Sequence, residues 1–190
     1  MKNFLTAFVA ALFLLTAVAH AEDATTYNDR GVDYFNRQQY EAAVQEYTKA
    51  IQVDPNWSKP YNNRGLAYIE LGQYEAAIYD FNTTIELNPE YAEAYNNRGW
   101  AYSELRDYER AIRDLDTAIR LDSDYAVAYN NRGVVYRDLA QYDRAVEDFT
   151  RAIQIDPNFA VAYENRAKCY EALGDSAKAQ ADFDKAQQLG

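Results

Sequence analysis

Tyr95-Asn96-Asn97-Arg98-Gly99 is one phrase of five set in register along the chain. Tyr61-Asn62-Asn63-Arg64-Gly65 precedes it and Tyr129-Asn130-Asn131-Arg132-Gly133 follows. Tyr27-Asn28-Asp29-Arg30-Gly31 and the weaker Tyr163-Glu164-Asn165-Arg166-Ala167 stand at the two ends, and every step is 34 residues. Self-similarity at a period of this length marks a stack of one supersecondary unit, in which each unit buries its apolar face against its neighbours.

Inside one period the apolar residues fall at helical spacing. In the third copy Ala94, Tyr95, Gly99, Tyr102 and Leu105 share one helix, and Tyr108, Ala111, Ile112, Leu115, Ala118, Ile119 and Leu121 a second. Arg106-Asp107 make the turn between them, where other copies use Gly72 or Gly174, residues suited to a left-handed cap. Pro55, Pro89 and Pro157 stop the second helices, with Ser123 in that place in the third copy. Ser58 with Pro60 reads as a helix start.

The pattern resembles the tetratricopeptide repeat, a 34-residue helix–turn–helix unit. Units at 24–57, 58–91, 92–125, 126–159 and a truncated 160–190 cover nearly all of the chain after its first residues. The resemblance implies an all-α, right-handed superhelical solenoid of antiparallel helix pairs. The family's small positions are filled by Gly31, Gly65, Gly99, Gly133 and Ala167 at the eighth place and by Ala43, Ala77, Ala111, Ala145 and Ala179 at the twentieth. The twenty-seventh place holds Ala50, Ala118, Ala152 and Ala186, with Thr84 the departure.

Arginine recurs at the seventh place, as Arg30, Arg64, Arg98, Arg132 and Arg166, and an acid recurs on the second helix as Glu46, Asp80, Asp114, Asp148 and Asp182. These read as partly buried Arg–carboxylate pairs, within or between repeats, since a guanidinium fits a carboxylate in two parallel bonds. A row of anion-binding arginines is the competing reading. Fourteen of the 18 tyrosines occupy three equivalent places, which points to packing between helices and against a carbohydrate-binding shelf.

Residues 1–21 read as a secretory signal: Lys2, an apolar run from Phe4 to Val18, and Ala19-His20-Ala21 as the cleavage site. An uncleaved anchor is the alternative. The reading expects an exported protein, periplasmic or secreted. The remainder carries 18 basic and 30 acidic residues, a formal charge of −12, which argues against nucleic acid and anionic membrane surfaces. It has no histidine, since His20 is the only one, and one cysteine, Cys169, expected to be a buried, inert thiol. With no phosphate-binding glycine loop, no metal-ligand spacing and no paired nucleophile and base, the sequence does not read as an enzyme. It calls for no cofactor, metal or small-molecule substrate.

In the resembled family the first helices line a concave groove. That register would face Asn28, Asn62, Asn63, Asn96, Asn97, Asn130, Asn131 and Asn165 toward a ligand, with Leu66, Trp100 and Val134 as an apolar strip. A side-chain amide both donates and accepts, so a ladder of them suits an extended backbone. The competing reading bonds these amides to neighbouring helices and packs Trp100 against the next repeat. The family's carboxylate clamp needs cations where this chain has Asn28, Val32, Asn62, Leu66, Asn96 and Trp100, so a chaperone-tail receptor is disfavoured. The expected function is a cell-envelope adaptor that binds an extended protein segment. The alternative is an end-to-end self-assembling scaffold, a homo-oligomer, because the last helix leaves Phe183 without a following repeat.

Overall fold

The computed structural model describes residues 23–190; the leader and its cleavage site lie outside the described residues. Among the described residues, ten helices alternate between 13 and 14 residues. They are α1 (Ala24–Asn36), α2 (Tyr40–Val53), α3 (Ser58–Glu70), α4 (Tyr74–Leu87), α5 (Ala92–Glu104), α6 (Tyr108–Leu121), α7 (Ala126–Asp138), α8 (Tyr142–Ile155), α9 (Ala160–Ala172) and α10 (Ser176–Leu189). No strand occurs among the described residues, and no helix there is long and apolar enough to cross a membrane.

Both kinds of turn are closed by backbone chemistry. Within each pair the chain passes through the left-handed region, at Gln38, Gly72, Arg106, Ala140 and Gly174. Only two of these are glycines. At the other three the strain is offset by a closing bond to the helix end, such as Asp107 N–H to the Tyr102 carbonyl at 2.9 Å. Between pairs, Asp54, Asn88, Asp122 and Asp156 stand just past the helix in extended conformation. Each side-chain oxygen accepts the amide two residues on, at 2.9–3.2 Å. This Asx turn is present in all four copies, so Ser123 replaces a proline without changing the stop. Trp57 is the N-cap residue of α3 and makes no side-chain cap bond; Ser58 is the first helical residue, and Pro60 fits the first turn because that turn's N–H groups have no intrahelical acceptor.

Odd-numbered helices touch their odd-numbered neighbours directly, α1 with α3 through α7 with α9, while the even-numbered helices do not touch one another. The array therefore curves with the odd helices on its inner side. Each pair closes over the small eighth residue. A Cβ on Gly133 would lie 2.7 Å from the Phe149 ring, and one on Gly65 would lie 2.6 Å from that of Phe81. Between repeats, Ala67, Ala101, Val135 and Cys169 seat on the preceding even helix, against Tyr47, Phe81, Leu115 and Phe149 in turn. Cys169 is fully buried, and burial pushes its thiol up to about 11, so it is unreactive at neutral pH.

The two ends differ from this pattern in one respect. On the outer face of α1, Thr26 and Asp33 are exposed where interior copies bury Pro60 or Ala94 and Ala67 or Val135. On α10, Ser176, Gln180 and Gln187 are exposed where interior copies place Tyr74, Ile78 and Ile85. Phe183 is half-buried beside a cavity of about 380 Å³ that Val161 and Ala186 also line. Polar side chains thus cover most of each terminal face.

Gly133→Ala forces the added methyl into the Phe149 ring. We expect a net destabilisation of about 1–3 kcal/mol despite alanine's better helix propensity, read as a lowered thermal midpoint.

Candidate functional site

The odd helices present one stripe each to the inner surface, at the second, sixth, ninth and thirteenth places of the repeat. In the third repeat these are Glu93, Asn97, Trp100 and Glu104, which lie on one helix face by their i, i+4, i+7 and i+11 spacing. Glu93 and Glu104 are exposed, and Asn97 and Trp100 are half-buried. The second repeat gives Lys59, Asn63, Leu66 and Glu70, and the fourth Val127, Asn131, Val134 and Asp138. Val134 is 9% exposed and packs in the same cluster as Trp100, so the apolar strip offers mainly Val32, Leu66 and Trp100.

The fifth-place amides correct the sequence expectation. Asn28, Asn62, Asn96 and Asn130 are buried, at 1–6% exposure, and do not face the groove. Each carbonyl oxygen accepts from the sixth-place amide of the next repeat: Asn63 to Asn28 at 2.9 Å, Asn97 to Asn62 at 3.2 Å, Asn131 to Asn96 at 2.9 Å and Asn165 to Asn130 at 3.1 Å. Within a repeat, Asn96 donates to Asn97 and Asn130 to Asn131. Asn165 is buried as well and accepts from Arg137 at 2.8 Å. The amides therefore form a seam between odd helices, because a buried amide requires partners and its nearest ones belong to the neighbouring repeat. Of the four hydrogen-bonding sites on each half-buried sixth-place amide, Asn97 and Asn131 use two in this seam and Asn63 one.

Behind this seam lie the arginines. Arg64, Arg98, Arg132 and Arg166 each hold the aspartate 16 residues on in two bonds of 2.7–2.8 Å. Arg30 pairs with Glu46 at 2.9 Å. The pairs are within repeats, as one of the two sequence readings had it. A third bond then reaches the preceding repeat: Arg64 to Thr48, Arg98 to Asn82, Arg132 to Asp116 and Arg166 to Thr150, at 2.6–3.0 Å. Burial is the largest influence on Asp80 and Asp148 and pushes their carboxyls up, with the guanidiniums pulling the other way. The first tyrosine of each phrase lies under its own arginine, 4.8–5.8 Å from ring centre to guanidinium carbon. A second tyrosine, Tyr68, Tyr136 or Tyr170, approaches Arg64, Arg132 or Arg166 to 5.9 Å. Sequence reading placed these tyrosines in helix packing but missed this cation–π role. The i, i+3 spacing of tyrosine and arginine was the available signal.

An inner helical surface with polar seams, an apolar strip and structural ion pairs defines a repeat scaffold for protein–protein interaction. The chain belongs to the tetratricopeptide repeat family. Models described as tetratricopeptide repeat match residues 92–125, 126–159 and 149–181, and one described as TPR repeat matches 31–72 and 65–106. A crystal structure of MamA protein is 31% identical, with a TM-score of 0.71 over 87% of this chain and 91% of that one. PilF of Pseudomonas aeruginosa is 20% identical, with a TM-score of 0.80 over 88% of this chain and 76% of that one. PilW, described as a widely conserved type IV pilus biogenesis factor, is 23% identical, with a TM-score of 0.80 over 87% and 77%. No curated protein matches the chain.

Arg98→Ala and Asp114→Ala each strand a partly buried charge, and each is expected to cost about 3–5 kcal/mol. In a double-mutant cycle by denaturant melts, the combined loss should fall well short of the sum; additive losses would refute direct pairing.

Proposed function

We propose that this chain is an exported, non-enzymatic adaptor that holds an extended segment of another protein along its inner groove. The observation that carries the reading is the run of Val32, Leu66 and Trp100, half-buried on the concave side and bordered by exposed polar residues. A half-buried tryptophan on a rigid helix is a suitable anchor for a partner's apolar side chain. Asn63, Asn97 and Asn131 supply the remaining amide capacity for backbone groups, fewer positions than the sequence ladder promised. Export rests on the amino-terminal apolar run and small-residue motif, and it places the partner among envelope or secreted proteins. The repeat bounds at 24, 58, 92, 126 and 160 put one such stripe in every unit.

Leu66→Ala combined with Trp100→Ala should abolish retrieval of partners from envelope extracts with helix content retained, the thermal midpoint falling because both side chains also pack on core clusters. Equal recovery by both baits would remove the groove from consideration.

End-to-end assembly is the less favoured reading. Continuing the repeat lattice at the amino-terminal face would bury Thr26 and Asp33, and at the far face would half-bury Gln180 and Gln187. Light scattering at high protein concentration should give the mass of one chain; a concentration-dependent ladder of sizes would reverse this preference.

A further inference from the structure

The groove carries charge in a particular place. Glu70 and Glu104 stand in the last turns of α3 and α5, where the helix macrodipole disfavours an anion. Both are exposed, and among the described residues neither has an ion pair of its own. Their contacts are phenolic. The Tyr74 hydroxyl donates to Glu104 at 3.3 Å, and Tyr40 lies within the electrostatic reach of Glu70; desolvation first and the carboxylate next hold both phenols above their ordinary range. Glu104 follows Trp100 by one helical turn on the same face, and Glu70 follows Leu66 in the same way. The corresponding acid of the fourth repeat, Asp138, differs: Arg137 beside it pairs with it at 3.0 Å. The other cations on these stripes lie apart. Lys59 is at the opposite rim of α3, three turns from Glu70, and Lys168 pairs with Glu164 at 2.7 Å in the fifth repeat. Asp29 adds an acid beside Val32 in the first repeat, and the thirteenth-place acids without an ion pair are those of the second and third repeats.

We propose that the groove selects a basic partner: an extended segment whose lysine or arginine lies over the Trp100 face and bonds Glu104, with a second cation at Glu70. This rests on the groove reading above and names the chemistry of its ligand. A cation beside an aromatic face and a carboxylate gains from both, and the flanking phenol restrains the carboxylate without neutralising it. Adjacent packed helices stand roughly 8–10 Å apart. An extended chain rises ~3.3 Å per residue, so the two cations are expected about three positions apart. The chain's net charge of −11 draws such a segment in before contact.

The test is selection of random displayed peptides on the immobilised full chain and, in parallel, on its Glu70→Gln/Glu104→Gln variant. Affinities of the winners are then read by fluorescence anisotropy at low and high salt. Wild type should enrich lysine and arginine, the double variant should not, and each single Glu→Gln should weaken the basic winners by roughly five- to tenfold. Glu104→Lys should shift the selection toward acidic peptides. Both changes lie on exposed positions, and unchanged thermal midpoints verify the fold. Peptides that depend on Trp100 yet show no basic excess would overturn this proposal and leave the groove reading standing. If no selected peptide loses binding on Leu66→Ala or Trp100→Ala, the groove reading fails and this proposal falls with it.

Discussion

One guanidinium per repeat holds the array together. In the second to fifth repeats it bonds the aspartate of its own second helix twice and a side chain of the preceding repeat once, as Arg98 does, and it lies against a tyrosine ring; in the first, Arg30 pairs with Glu46. The pair is costly to bury and costly to break, so its worth lies as much in register as in stability. An arginine that must meet two acceptors on two different helices leaves little freedom in how those helices rotate. The close approach over Gly31, Gly65, Gly99 and Gly133 depends on that fixed rotation, because a slight turn of either helix would put a side chain where only hydrogen fits.

The amide seam follows from the same geometry. Once the odd helices stand side by side, the fifth-place asparagines lie between them, out of water, and must find partners. They find the sixth-place asparagines of the next repeat. The groove wall is therefore stiff and largely self-satisfied, and it offers few polar groups to a ligand. Recognition passes to what the seam leaves uncovered: the apolar ninth place and the charged rim at the thirteenth. A preorganised wall of this kind lowers the ordering cost of binding, which suits capture of a flexible segment.

Much of this is legible in the amino-acid sequence. The 34-residue step, the helix pairing, the small eighth and twentieth residues and the Arg–carboxylate partners all repeat five times, and repetition separates a structural requirement from chance. Legibility failed where two adjacent residues share one chemistry. Asn96 and Asn97 read alike, yet about 100° of helix separates them. One is sealed against the neighbouring repeat and the other is left half in the groove. The stop after each second helix was assigned to proline, whereas the preceding Asp or Asn makes the turn. That bond is to a backbone amide, which carries no distinguishing mark in the sequence.

Periodicity and side-chain type alone determined that this chain is a stack of helix pairs and that each repeat sets an arginine and an acid at matching registers, leaving open whether they pair within or between repeats. Both depend on local spacing, which a linear string records in full. Only the tertiary structure decided which asparagines meet solvent, that Glu70 and Glu104 border the apolar strip without a cation while Asp138 has one, and that polar residues at Asp33 and Gln180 cover the two ends. Those outcomes depend on the rotation of one repeat upon the next, a quantity set by packing across the whole interface and by no single residue.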